Sequence, residues 1–268
     1  MNLLYKTPRL FHDGPLHAGE TIMLGDGAHH YLKNVMRAET GAFLRLFNGS
    51  DGEFTARIEE IGKKTLAVAI QSKIRSQPDS VRPLHLLFTP LKKERMDFLI
   101  EKAVELGATH LHPVLTRYTD IRKINEERIK AQIIEAAEQC ERLDIPVLFP
   151  LSDLFAKLER WGGPFPVFAA IERADAAPLS RAWHETRRGR SAGAAAGASG
   201  ALTPKAQITG AALLTGPPGG FDDDEKERLA TLEHTLPVSL GTAILRSETA
   251  ALAGLVLLQE GEEPQGGG

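Results

Sequence analysis

The chain has 268 residues, 42% of them hydrophobic and 25% charged, which is the balance of a soluble globular protein with one large domain or two ordinary ones. A net charge of −3 excludes a protein that is basic overall, so any contact with nucleic acid must come from local patches. The single cysteine, Cys140, excludes an intramolecular disulfide and a cysteine-based zinc site.

The charge is unevenly spread: residues 1–82 hold 11 Lys/Arg against 9 Asp/Glu, and residues 221–268 hold 3 against 10. The N-terminus lacks the charged-then-apolar pattern of a signal peptide, and no apolar run approaches the roughly 20 residues that span a bilayer. A cytoplasmic protein is expected.

Residues 1–75 read as all-β, most economically a small β-barrel. Phe43–Phe47 is a short apolar strand, and Asn48-Gly-Ser-Asp-Gly52 is a turn of residues that tolerate positive φ. Glu53–Ile58 alternates apolar and polar side chains as a half-buried returning strand does, and Thr65–Ile70 reads as a third strand. One helix is predicted over His29–Met36, with Tyr31, Leu32, Val35 and Met36 on a shared face. Residues 76–83, with two prolines, read as a linker.

From residue 84 strands and helices alternate, which implies a parallel sheet covered on both faces. Strands are predicted at Leu84–Phe88, Leu111–Leu115, Pro146–Phe149, Pro166–Ile171, Ala211–Leu214 and Pro237–Leu240. A helix over Glu94–Leu106 places Met96, Leu99, Ile100 and Ala103 on one side and stops at Gly107. Asn125 caps a second long helix, and Asp222 with Glu225 forms a capping box at the start of a third. The Ala/Gly/Ser-rich stretch 187–205 reads as a flexible surface insert, and the tail 261–268 as disordered.

Two glycine segments carry the chemistry. Leu214-Thr-Gly-Pro-Pro-Gly-Gly220 and Leu240-Gly-Thr-Ala-Ile-Leu-Arg-Ser-Glu-Thr-Ala250 each follow a predicted strand and precede a predicted helix. Strand ends carrying glycine turns build pockets for nucleoside-like ligands, because backbone can approach the ligand there. Neither segment matches the dinucleotide fingerprint or the phosphate loop, and no phosphate-cradling lysine follows. An adenosine-type ligand without polyphosphate fits that pattern.

Arg246-Ser-Glu-Thr249 opens the apolar helix Ala250–Leu258. Ser247 can act as N-cap and Glu248 can answer the helix dipole, which leaves Arg246 to direct its charge at the adjacent pocket. Lys92, Lys93 and Arg95 lie at a strand's C-terminal end, where a solvated cluster or a phosphate-backbone contact are both open readings. His29, His30 and Arg37 bracket the short helix; adjacent histidines point apart, so no metal site is expected.

In order along the chain, Arg9-Leu-Phe11, His29-His-Tyr-Leu-Lys-Asn-Val-Met-Arg37, Lys92-Lys-Glu-Arg-Met-Asp97, Glu138-Gln-Cys-Glu-Arg142, Gly216-Pro-Pro-Gly-Gly220 and Leu245-Arg-Ser-Glu-Thr-Ala250 resemble the SPOUT-class RNA methyltransferases. Within that class they resemble the bacterial 16S rRNA (uracil-N3) methyltransferase family. The resemblance runs from near the N-terminus to about Glu260, outside the insert. It implies an α/β chain: a PUA-like β-barrel for RNA (1–75), then an α/β domain (84–260) with a C-terminal trefoil knot. It also implies a homodimer that binds S-adenosylmethionine bent in the knot and acts on the small ribosomal subunit.

Carried onto this sequence, the resemblance places the cofactor against Leu214, Thr215, Gly216, Pro217, Gly219, Gly220, Leu240, Gly241, Leu245, Arg246, Ser247 and Thr249. Arg9, His29, His30, Lys33, Arg37, Lys92, Lys93 and Arg95 fall to RNA, and Arg246 and Glu248 to catalysis. Two positions depart from the family pattern: Pro218 stands where a glutamate is usual, and Thr242-Ala243 where Pro-Arg is usual. The expected reaction is an in-line methyl transfer to an unpaired or flipped uridine N3. Transfer to a ribose 2′-oxygen or guanine N1, and RNA binding without transfer, are the competing readings.

Overall fold

A computed structural model of the chain describes residues 7–188 and 210–259; the insert beyond Arg188 and the tail 261–268 lie outside the described residues. The chain divides into two compact units, the first reaching Val81 and also taking in Ile134–Ile145, the second comprising the rest.

In the first unit the elements are β1 (Arg9–Phe11), β2 (Thr21–Leu24), α1 (Asp26–His29), a π-helical turn (His30–Val35), β3 (Phe43–Phe47), β4 (Glu53–Ile61) and β5 (Leu66–Arg75). They form a five-stranded sheet in the order β1-β3-β4-β5-β2. The β1–β3 pair is parallel and the others are antiparallel. Among the described residues no ladder joins β1 to β2 to close the expected barrel. Leu44, Leu46, Ile58, Val68 and Ile70 point into its core.

The predicted helix His29–Met36 is instead α1 followed by the π-helical turn, in which the Met36 N–H donates to the Tyr31 carbonyl at 2.9 Å. The wider winding, with i→i+5 bonds, separates residues that an α-helix would align. Leu32 is fully buried while Val35 and Met36 are 59% and 43% exposed.

The second unit contains β6 (Leu84–Phe88), α2 (Lys93–Glu105), β7 (His110–Leu115), most of α3 (Glu126–Gln139), β8 (Val147–Leu148), β9 (Ser152–Asp153), α4 (Leu154–Glu159), β10 (Val167–Ala170), α5 (Leu179–Arg187), β11 (Ala211–Thr215), α6 (Asp223–Thr231), β12 (Thr235–Val238) and α7 (Ser247–Gln259). The strands run parallel in the order β12-β10-β11-β6-β7-β8, with β9 also on β7. β11 is buried along its whole length, as a parallel strand covered on both faces must be. β12 begins and ends two residues before the predicted Pro237–Leu240. It lies at the sheet edge, where a proline is tolerated. Gly254 lets α7 lie close on β11: a Cβ there would fall 2.5 Å from Leu213 Cδ2.

The end of α3 belongs to the first unit, and its carbonyls are held there. Arg9 is 7% exposed. It donates from Nε to Glu53 Oε1 at 3.1 Å, from Nη1 to the Ala137 carbonyl at 2.8 Å and from Nη2 to the Arg142 carbonyl at 2.8 Å. Carbonyls at a helix C-terminus have no intrahelical donor, and a cation there also answers the dipole. Glu53, fully buried, gathers Arg45 and Arg75 as well, each at 3.1 Å.

Within the second unit, β6 and β7 stack three histidines. The His85 ring lies 4.0 Å from His110 and 5.1 Å from His112, while Phe149 stacks on His112 at 4.1 Å. Trp161 and Phe165 meet His85 edge-on. His85 Nδ1 and His112 Nε2 share a hydrogen bond of 3.0 Å. Burial pushes the His85 imidazolium down to about 3 and that of His112 to about 2, so both rings are neutral at physiological pH.

Candidate active site

The parallel register brings four strand ends level. Phe88 of β6 lies opposite Thr215 of β11, Thr215 opposite Ala170 of β10, and Ala170 opposite Val238 of β12. Both glycine segments leave the sheet immediately beyond this row. β10 stands between their parent strands, so its exit loop, Ile171–Arg173, borders the same place. Ligands of open parallel sheets bind at such carboxyl ends.

Beyond β11 the chain turns tightly: the Gly220 N–H donates to the Pro217 carbonyl at 2.8 Å, and Gly220 takes φ +74°. A side chain there would be strained. Pro217 is buried, whereas Pro218 and Gly219 are exposed. A Cβ at Gly216 would meet the Phe221 ring at 2.9 Å, and one at Gly220 would lie 3.9 Å from Glu172 Oε2. α6 then starts on the predicted capping box: Asp222 Oδ1 accepts from the Glu225 N–H at 2.7 Å, and Glu225 Oε2 accepts from the Asp222 N–H at 3.1 Å. The Glu225 N–H first, and then the Arg117 guanidinium, hold the Asp222 carboxyl below its usual range.

Beyond β12, Gly241 takes φ +118°. Its N–H donates to Ser239 Oγ at 3.2 Å. Leu240 and Leu245 are half-buried; Gly241, Thr242, Ala243, Arg246 and Thr249 are exposed. The Ala250 N–H donates to the Arg246 carbonyl at 2.8 Å, so Arg246 holds the cap position and Ser247 opens α7. Ser247 and Glu248 are 9% and 7% exposed. Arg95 Nε, and not Arg246, approaches Glu248 Oε1, at 3.6 Å.

The cluster Lys92, Lys93 and Arg95 is exposed at the start of α2. In the first unit His30, Lys33 and Arg37 are exposed. His29 is 8% exposed, with Nε2 3.1 Å from the Gly62 carbonyl. It and Arg9 are thus buried and hydrogen-bonded within the first unit, unlike the exposed His30, Lys33 and Arg37. Sequence reasoning missed Thr89, whose buried hydroxyl directly beyond β6 has no hydrogen-bond partner among the described residues, and Glu172 beyond β10. Their only signal is position after a strand end, which needs the strand order to be read.

Two glycine turns with positive φ, a buried Thr89 hydroxyl without a hydrogen-bond partner among the described residues and open space beside the Gly241 backbone suit a nucleoside bound through main-chain groups. Among the described residues no group of three or more His, Cys, Asp or Glu could hold a metal ion, and no helix is long and apolar enough to cross a membrane.

Family models for an RNA methyltransferase domain and an RNA methyltransferase PUA domain match residues 77–259 and 24–71. The ribosomal RNA small subunit methyltransferase E of Rickettsia conorii is 32% identical over 93% of this chain and 94% of its own length. A putative methyltransferase of Legionella pneumophila, solved with bound cofactor SAM, is 30% identical, with TM-score 0.77 over 94% of this chain and 97% of its own. The ribosomal RNA small subunit methyltransferase E of Neisseria gonorrhoeae, bound to S-adenosyl methionine, is 25% identical, with TM-score 0.76 over the same shares.

Proposed function

The chain belongs to the RNA methyltransferase family, and from that premise we infer that it is an S-adenosylmethionine-dependent methyltransferase of 16S ribosomal RNA, acting on N3 of one uridine. The observation that carries the reading is the level row Phe88–Thr215–Ala170–Val238, beyond which both glycine turns, Arg246 and Glu248 follow.

The cofactor supplies a methyl group activated on a sulfonium. Backbone at Leu214–Gly220, Leu240, Gly241 and Leu245, with Ser247 and Thr249, holds the adenosine and methionine parts. Pro218 and Thr242-Ala243 are exposed, so the departures from the family pattern alter the rim and leave the two positive-φ glycines in place. Arg246, exposed and without an ion pair among the described residues, stabilises the charge that spreads to O2 and O4 as N3 loses its proton. Alignment of donor and acceptor removes several further kcal/mol of barrier.

His30, Lys33, Arg37, Lys92 and Lys93 are proposed to contact RNA phosphates. After β12 at the sheet edge the chain returns to pack α7 on β11, α2 and α5, a path that suits a trefoil knot. The open groove of about 580 Å³ between Lys102 and Glu105 of α2, the following Leu106, and Leu252, Ala253, Val256 and Leu257 of α7 suits a homodimer interface. Its apolar lining, with Val256 50% exposed, calls for a cover. Action on ribosomal RNA makes the cytoplasm its place of work.

The test is incubation with undermethylated small ribosomal subunits and labelled cofactor, followed by mapping of the modified nucleoside. Label at uridine N3, lost in Arg246→Ala with the fold intact, supports the reading; label at a ribose 2′-oxygen or at guanine overturns it.

A further inference from the structure

Glu248 is 7% exposed, and a carboxylate that buried needs partners for both oxygens. Its position on the first turn of α7 favours the negative charge without supplying a donor to each oxygen. Oε1 has Arg95 Nε at 3.6 Å. Oε2 is buried with no hydrogen-bond partner among the described residues. Arg246, two positions earlier, is exposed and forms no pair with it. Arg95 is itself 44% exposed along its side chain. It stands on the first turn of α2, the helix that packs against α7, and so reaches Glu248 from a different element.

We propose that Arg95 is a positioning residue for the transfer: it holds Glu248 by Oε1 so that Oε2 accepts the N3 proton of the acceptor uracil. The proposal rests on the uracil-N3 reading above and assigns the proton acceptor within it. The N3–H bond breaks with its proton passing to Oε2. The nitrogen pair forms the new N–C bond, and the C–S bond breaks with its pair staying on sulfur. An arginine suits the holding role because its guanidinium remains charged throughout. Arg95 thus acts on the chemistry, whereas its neighbours Lys92 and Lys93 face solvent for the RNA backbone.

The experiment compares Arg95→Ala, Arg95→Lys, Glu248→Gln and the double variant Arg95→Ala/Glu248→Gln. Methyl transfer is measured on undermethylated small subunits, and urea unfolding on the same proteins without cofactor. Arg95→Ala should lower kcat about 10- to 100-fold, up to the lower bound of what a general base contributes because the carboxylate itself stays in place, with KM for subunits changed less than about twofold. Arg95→Lys should restore most of the rate. In the Glu248→Gln background Arg95→Ala should cause no further loss of kcat and a smaller shift of the urea midpoint than in the wild type. A raised KM with kcat kept would make Arg95 a phosphate contact and overturn the proposal, as would additive losses in the double variant. A wild-type protein that methylates another nucleoside would overturn the uracil-N3 reading and with it the role of Oε2. The unfolding cycle would then still report the Arg95–Glu248 pair.

Discussion

Lowering the pH from 7 to 5 should destabilise the parallel-sheet unit by about 4 kcal/mol through His85 and His112 alone. Both imidazoles are neutral in the fold, with folded values of about 3 and 2 against 6.5 for the ordinary side chain. The unfolded chain therefore binds two protons near pH 5 that the folded chain does not. Stability from these groups is complete above pH 6.5 and falls as pH drops toward their folded values, by about 1.4 kcal/mol per pH unit per histidine. Over the 1.5 units from 6.5 to 5 that is about 2 kcal/mol each. His110 of the same unit, also lowered by burial, acts in the same direction. Asp51, Asp97 and Asp222, held below their usual range, remain ionised in this window and begin to matter only in stronger acid. Urea unfolding followed by circular dichroism at pH 7 and 5 measures the difference. His112→Gln keeps a hydrogen-bonding partner for His85 but cannot titrate, so it should remove about half of the drop. Equal midpoints at the two pH values, or a His112→Gln protein that keeps the full drop, would refute the reasoning.

Glu53→Gln should cost about 3–5 kcal/mol, because it leaves the buried Arg9 guanidinium without its counter-charge, while Arg45 keeps Glu141 at 2.7 Å; a urea midpoint close to that of the wild type would contradict it. Gly254→Val should cost about 1–3 kcal/mol by forcing Leu213 out of place between α7 and β11, read by thermal unfolding. Gly220→Ala strains a left-handed turn by about 1 kcal/mol and should weaken calorimetric binding of the demethylated cofactor while leaving the proposed RNA contacts of the first unit unchanged.

Strands β3, β6, β10 and β11 were legible because short, dense apolar runs bounded by turn residues leave little choice of conformation. The capping box at Asp222 and Glu225 was legible because both partners lie within one helical turn. The π-helical turn was not: Tyr31, Leu32, Val35 and Met36 repeat at a spacing that also suits an α-helix. β1 is three residues long and begins with an arginine, and the partners of that arginine lie up to 133 positions away. The two glycine segments could be read as one pocket, yet β10 lies between their strands and adds the Glu172 loop to its border. Likewise the pairing of Glu248 depends on how α2 packs against α7, which no local pattern encodes.

The hold of Arg9 and Arg75 on carbonyls at and just beyond the end of α3 has a consequence for synthesis. The Arg75 guanidinium awaits a carbonyl 66 positions further on, at Glu141. At about 5–20 residues per second, the ribosome delivers that carbonyl roughly 3–13 s after Arg75. Until then the first five strands carry a cluster of three arginines on one glutamate, a net positive charge with no helix end to receive it. The first unit is therefore completed only after the chain has begun to build the second, and a nascent chain arrested with residue 142 still inside the ribosome should be markedly more sensitive to protease than one arrested after residue 145 has emerged.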